Sequence, residues 1–139
     1  MLPRPRPRIL DPVTAGTIVA NATQPDCDWL AGYLEGEGCF FNTASRHTVC
    51  PLIQVAATDW DVVFRAASIM GVLVNKVSVR KRKEKPYYKD CWKFYVGSHL
   101  AAAWMRRLLP LMGLRRRKTI QSILSFYDGG RLYEVAGGP

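Results

Sequence analysis

The stretch Leu30-Ala31-Gly32-Tyr33-Leu34-Glu35-Gly36-Glu37-Gly38 decides how the rest of the chain is read. Trp29, Leu30, Tyr33 and Leu34 recur at helical spacing. Pro25-Asp26 supplies a start and Gly38 a stop, so a short helix runs from about residue 26 to 38. Two features are odd for a purely structural helix. Gly32 and Gly36 stand four apart on one face, and each costs about 1 kcal/mol against Ala in a helix interior. Such a pair lets a second backbone approach closely, as small-xxx-small pairs do; tight packing on the helix's own sheet is the competing explanation. Glu35 and Glu37 fall in the last turn, where the helix dipole is negative and carboxylates are disfavoured. A hard divalent cation takes carboxylate and carbonyl oxygens, and a helix C-terminus offers both. Phosphodiester hydrolysis uses such a metal to polarise the phosphate and activate water. An acid pair alone is a weak sign, and a structural role competes with it.

Working outward, period-two alternation follows the helix. Phe40, Asn42 and Ala44 oppose Phe41, Thr43 and Ser45; after a turn at Ser45-Arg46-His47, Ile53, Val55 and Ala57 oppose Leu52, Gln54 and Ala56. Thr58-x-x-Asp61 resembles a capping box. Val63, Ala66, Ala67 and Met70 then repeat at helical spacing, and Gly71 ends that helix. A second strand pair sets Val77 and Val79 against Lys76, Ser78, Arg80 and Arg82, and Trp92, Phe94 and Val96 against Cys91, Lys93 and Tyr95. One face of each strand is apolar and the other basic or polar, as in a half-buried antiparallel sheet with an open cationic face. Ser98 is placed to cap a helix carrying Leu100, Trp104, Leu108 and Leu111, which Pro110 should break. A last helix runs from about 114 to 127 with Ile120, Ile123, Leu124 and Tyr127 inward. The order is α-β-β-α-β-β-α-α, an α+β domain over 26–128. It follows a Pro/Arg-rich arm and linker over 1–25 and precedes a flexible Gly-rich tail over 129–139.

Charge points to the partner. The 139 residues carry 20 Lys plus Arg against 11 Asp plus Glu, a net charge of +9. The cations fall in three groups: Arg4, Arg6 and Arg8 alternating with prolines; Lys76 to Lys93; and Arg106, Arg107, Arg115, Arg116, Arg117 and Lys118. All but three of the basic residues belong to them. A single run is ordinarily a solvated face, and the third group reads that way; three runs in one small chain favour a polyanion. Apolar residues make up 48%, far too many for a disordered chain. No apolar run is long enough to span a membrane, and Asp11, Pro12, Thr14, Gly16 and Thr17 make the N-terminal stretch too polar for a signal peptide. Cys27, Cys39, Cys50 and Cys91 match no disulfide or zinc framework. Four free thiols suit a reducing, intracellular compartment.

The nine-residue string resembles the LAGLIDADG motif of homing endonucleases, in the variant LAG-aromatic-Leu/Ile-acid-Gly-acid-Gly. The α-β-β-α-β-β-α order is that family's core, and the resemblance runs from about Asp26 to Tyr127. It implies a site-specific double-strand DNA endonuclease of a mobile genetic element such as an intron, with Mg²⁺ or another divalent cation such as Mn²⁺. One motif copy implies a homodimer whose motif helices cross at the two-fold axis through Ala31, Gly32, Glu35 and Gly36. Glu37 would be the metal ligand and essential catalytic residue, with the Gly36 carbonyl supplementary; Glu35 matches the first acid, the second catalytic candidate, usually structural or capping. The family's sheet saddles the DNA major groove. That assigns Phe41, Thr43, Ser45, Gln54, Lys76, Ser78, Arg80, Arg82, Lys93 and Tyr95 to the DNA, with Arg and Gln suited to base edges and Lys to phosphates. Intron RNA is a further candidate partner; a membrane is not. Two departures stand out. Ala56 or Ala57 occupies a position that is often Gln, and Ser98-His99 one that is often Lys, with Lys93 the nearest substitute. They support an alternative: a catalytically weak or inactive nucleic-acid-binding protein of the same fold, a maturase or regulator.

Overall fold

The computed structural model describes residues 10–44, 49–77 and 90–129. Nine regular elements follow in order: α1 (Pro12–Ala20), α2 (Gln24–Glu37), β1 (Gly38–Ala44), β2 (Val49–Ala57), α3 (Trp60–Met70), β3 (Asn75–Val77), β4 (Cys91–Gly97), α4 (Ser98–Leu108) and α5 (Leu114–Asp128). A short 3₁₀ turn, Leu109–Leu111, separates the last two around Pro110, where the break was expected. The strands form one antiparallel sheet in the order β1-β2-β4-β3.

The sheet's alternation carries the core. Phe40, Ile53, Val55, Phe94 and Val96 are buried, and the helices supply Leu30, Leu34, Val63, Met70, Trp104, Leu108 and Ile120 against them. Trp104 is fully buried yet keeps its indole N–H satisfied, donating to the Met70 carbonyl at 3.1 Å. Gly71 ends α3 at φ +80, in the left-handed region, with its N–H on the Ala67 and Ser68 carbonyls. A Cβ there would meet Ile18 Cγ2 at 3.2 Å. Gly71→Ala is therefore expected to destabilise the fold by about 1–2 kcal/mol, read as a lower urea midpoint at unchanged slope.

Three expectations are corrected. Residues 12–20 are no linker: Asp11 caps α1, accepting from the Thr14 N–H at 2.8 Å, and Ala15 and Val19 are buried in a helix packed on α4. The Thr14 amide and hydroxyl also hold the exposed Asp11 carboxyl below its ordinary pKa. α2 starts earlier than Asp26, because Thr23 Oγ1 accepts from the Asp26 N–H at 3.2 Å and Pro25 sits inside the first turn. β3 has the opposite parity from the one expected. It pairs Lys76 with Trp92 and Asn75 with Lys93, so Asn75 takes the open-face position; the side chain of Lys76 lies outside what is described. Alternation along one strand cannot say which set points inward; a one-residue shift of register exchanges them. Ser78, Arg80 and Arg82, and likewise Ser45, lie outside the described residues.

Neither expected cap is made by its side chain. Asp59, not Thr58, occupies the N-cap of α3 without a capping hydrogen bond, and α4 follows Gly97 with Ser98 as its first residue at φ +59.

Candidate functional site

α2 runs straight into β1, so its last turn projects where the sheet begins. Its inward face is Cys27, Leu30, Ala31 and Leu34. Gly38 makes the close join: a Cβ on it would lie 2.7 Å from the Leu34 carbonyl oxygen. Its φ of −82 with ψ 148 is already extended, so space rather than handedness requires glycine there.

The other face holds Gly32, Gly36, Glu35 and Glu37, all exposed. A Cβ on Gly32 or Gly36 would meet nothing within 4 Å. Packing on the chain's own sheet therefore does not explain the two glycines; the chain has room for a side chain at both. Ala31, expected beside them, is only 4% exposed and belongs to the chain's own core. One position along a helix turns the side chain by about 100°, which separates Ala31 from Gly32.

The two acids have different surroundings. Glu35 reaches α5, 78 residues further along the chain. Its carboxylate accepts the Gly113 N–H at 3.1 Å, and Gly113 is the N-cap of α5. Arg116 Nη2 donates to the Glu35 carbonyl at 3.2 Å. A carboxylate at a helix N-terminus satisfies an orphan amide and opposes the dipole. Glu35 thus caps the N-terminus of α5 and reaches toward its own chain. Glu35→Ala is expected to destabilise the protein by about 1 kcal/mol, with Glu35→Gln, which keeps an acceptor oxygen, recovering part of it in thermal melts.

Glu37 makes no such bond among the described residues. It lines a hollow of about 330 Å³ with Gly32, Tyr33, Gly36, Ala57, Asp59 and Val62. The sequence does not single out Asp59. As an N-cap that does not cap, its carboxylate is available to the hollow it shares with Glu37. The Tyr33 hydroxyl is buried without a hydrogen-bond partner among the described residues. Burial first, then the charges of Glu37 and Asp59, push its pKa above the ordinary phenol value, which brings all three groups into one neighbourhood. Tyr33 stacks on Trp29 with centroids 5.3 Å apart, and the Arg65 guanidinium lies 4.0 Å over Trp29.

The donor set fits a hard cation: two carboxylates, with backbone carbonyls at a helix end. No group of three or more His, Cys, Asp or Glu occurs among the described residues. A larger hollow of about 400 Å³ lies elsewhere, lined by Ile18, Asn21, Ala22, Asp26, Ser68, Ile69 and Gly71, with Asp26 as its one ionisable side chain among the described residues.

The uncovered sheet face brings most of the other candidates together. Register aligns Cys39, Gln54 and Tyr95 in one row across three strands, Phe41 and Leu52 in a second, and Ala56, Lys93 and Asn75 in a third; Thr43 faces Cys50. Tyr95 is 43% exposed, and Lys93 Nζ lies 5.1 Å over its ring. Lys93 is the sole cation on this face among the described side chains. His99, at the position that is often Lys, is half-buried, with Nδ1 2.5 Å from the Tyr127 hydroxyl. Ala57, not Ala56, borders the Glu37 hollow.

This geometry can be set beside known structures. A group I intron-encoded homing endonuclease, I-CeuI, solved in complex with DNA, superposes with a TM-score of 0.52 at 14% identity over 78% of this chain. The fold is LAGLIDADG-like. The chain spans 58% of the length of that endonuclease chain. No protein-family model matches the sequence, and no curated protein does. No helix among the described residues is long and apolar enough to cross a membrane.

Proposed function

We propose that the protein is a site-specific double-strand DNA endonuclease that hydrolyses phosphodiester bonds with a divalent cation, as a homodimer. One observation carries this reading: a helix face with two uncovered glycines ends at an exposed acid, while the neighbouring acid is engaged on α5. Two protomers meeting on that face bring two Glu37 side chains to the two-fold axis, one for each DNA strand. The fold shared with an endonuclease that binds DNA supports it.

Glu37 and the Gly36 carbonyl would hold Mg²⁺ or Mn²⁺, with Asp59 on the same hollow. Such a cation polarises a phosphate and makes water a better nucleophile. Tyr33 offers a hydroxyl donor to the same space. The open sheet face orients the duplex: Gln54 can pair with a base edge, Lys93 with a phosphate, and Phe41 and Tyr95 with base or sugar surface.

Ala57 and His99 favour a second reading. The wall beside Glu37 is apolar at Ala57, and His99 is engaged with Tyr127. A protein lacking these outer polar groups would bind nucleic acid, DNA or intron RNA, and cut weakly or not at all. Incubation with a plasmid carrying the gene's own insertion locus separates the two. The endonuclease reading expects Mg²⁺-dependent linearisation at one position. Tight binding without cutting in Mg²⁺ or Mn²⁺ would leave the second.

A further inference from the structure

The first turn of α5 holds four consecutive cations, Arg115, Arg116, Arg117 and Lys118, and no acid. The helix dipole is already positive there, and each added positive charge is unfavourable by roughly 0.3–1 kcal/mol. A solvated helix face usually mixes both signs. Among the described residues, the only carboxylate that reaches the turn is Glu35, and it takes the Gly113 N–H. Arg116 is engaged on the Glu35 carbonyl, and Arg117 Nε donates to the Met112 carbonyl at 3.1 Å. Arg115 and Lys118 are exposed and pair with no acid among the described residues. Three apart, they lie on one side of the helix. Because Gly113 and Arg116 both bond Glu35, this cationic turn lies against the end of α2 that presents Glu37.

We infer that the first turn of α5 is a phosphate clamp, in which Arg115 and Lys118 hold backbone phosphates of the nucleic acid beside the Glu37 end of α2. This rests on the nucleic-acid reading above and revises the expectation that the third cationic run is only solvated. The side chains form the clamp, since the helix N-cap amide is already used by Glu35. An anionic membrane surface fits less well. The apolar stripe of α5, Ile120, Ile123 and Leu124, is buried in the core, which leaves the helix without an apolar face to insert.

The test is metal-free binding of the full chain to a random-sequence DNA duplex between about 50 and 200 mM salt. Each phosphate contact contributes a slope of about −0.9 to log affinity against log salt. Arg115→Ala with Lys118→Ala should therefore flatten the slope by about 1.8, so that the wild type loses roughly tenfold more affinity across this range than the variant. Arg106→Ala with Arg107→Ala removes the same charge at a distance: Arg106 is ion-paired to Asp128, about 20 Å along α5 from Arg115. That control should leave the slope unchanged. The clamp is overturned if the first variant keeps the wild-type slope, if both variants flatten it equally, or if the first variant melts below the wild type, which would make the two cations structural. Unchanged DNA binding with lost binding to phosphatidylserine vesicles would overturn it in favour of a membrane. A wild type that binds no duplex at any salt removes the nucleic-acid reading and the clamp together, whereas binding with an unaltered slope removes the clamp alone.

Discussion

Glu37→Gln is expected to remove cutting by a factor on the order of 10³ or more while leaving the fold and DNA binding as they are. A metal-holding carboxylate contributes several kcal/mol of transition-state stabilisation, and each ~1.4 kcal/mol is tenfold in rate. Stability should not suffer. Glu37 is exposed, makes no hydrogen bond or ion pair among the described residues, and carries its charge at the disfavoured end of a helix. Glu35→Gln should show the reverse pattern, a lower melting temperature with much of the activity kept. Rates of plasmid linearisation, set beside gel-shift affinities and melting curves for both variants, check the pair. A Glu37→Gln protein that cuts within about tenfold of wild type would remove Glu37 from the chemistry.

The second large effect concerns the glycines, and its sign depends on what is measured. Within the protomer Gly32 and Gly36 have open space, so Ala at both should stabilise α2 by about 1 kcal/mol each through helix propensity. Across a two-fold axis the same methyl groups would push two backbones apart. Gly32→Leu with Gly36→Leu is expected to turn a dimer into a folded, inactive monomer. Sedimentation velocity reads the mass, and circular dichroism shows that the fold is retained. A wild type already monomeric, or a Leu variant that still dimerises and cuts, would contradict this use of the glycine face.

Much of this arrangement can be read from residues close together in the chain. The Phe40/Phe41 and Ile53/Gln54 alternations and the α3 stripe with Gly71 have strong periods, and the structure keeps them. The glycine pair and the two acids stand out because each is locally unfavourable, and local cost without local benefit marks a position used elsewhere. What stayed hidden depends on distant partners or weak patterns. α1 buries only Ala15 and Val19, too few apolar residues to show a stripe. The tie between Glu35 and Gly113 spans most of the domain, so nothing local separates the structural acid from the free one. Nothing in the sequence singles out Asp59 until the fold sets it beside Glu37. The parity of β3 depends on register with β4, which alternation does not encode.

The central claim is one Glu37 per subunit for each DNA strand, and mixed dimers test it most directly. Wild-type and Glu37→Gln subunits carrying different tags can be co-expressed, purified as heterodimers and given a supercoiled plasmid bearing the insertion locus. The account predicts that the wild-type dimer linearises the plasmid, the doubly substituted dimer leaves it supercoiled, and the heterodimer stops at the nicked circle with one strand cut. Linear product from the heterodimer at the wild-type rate would contradict it.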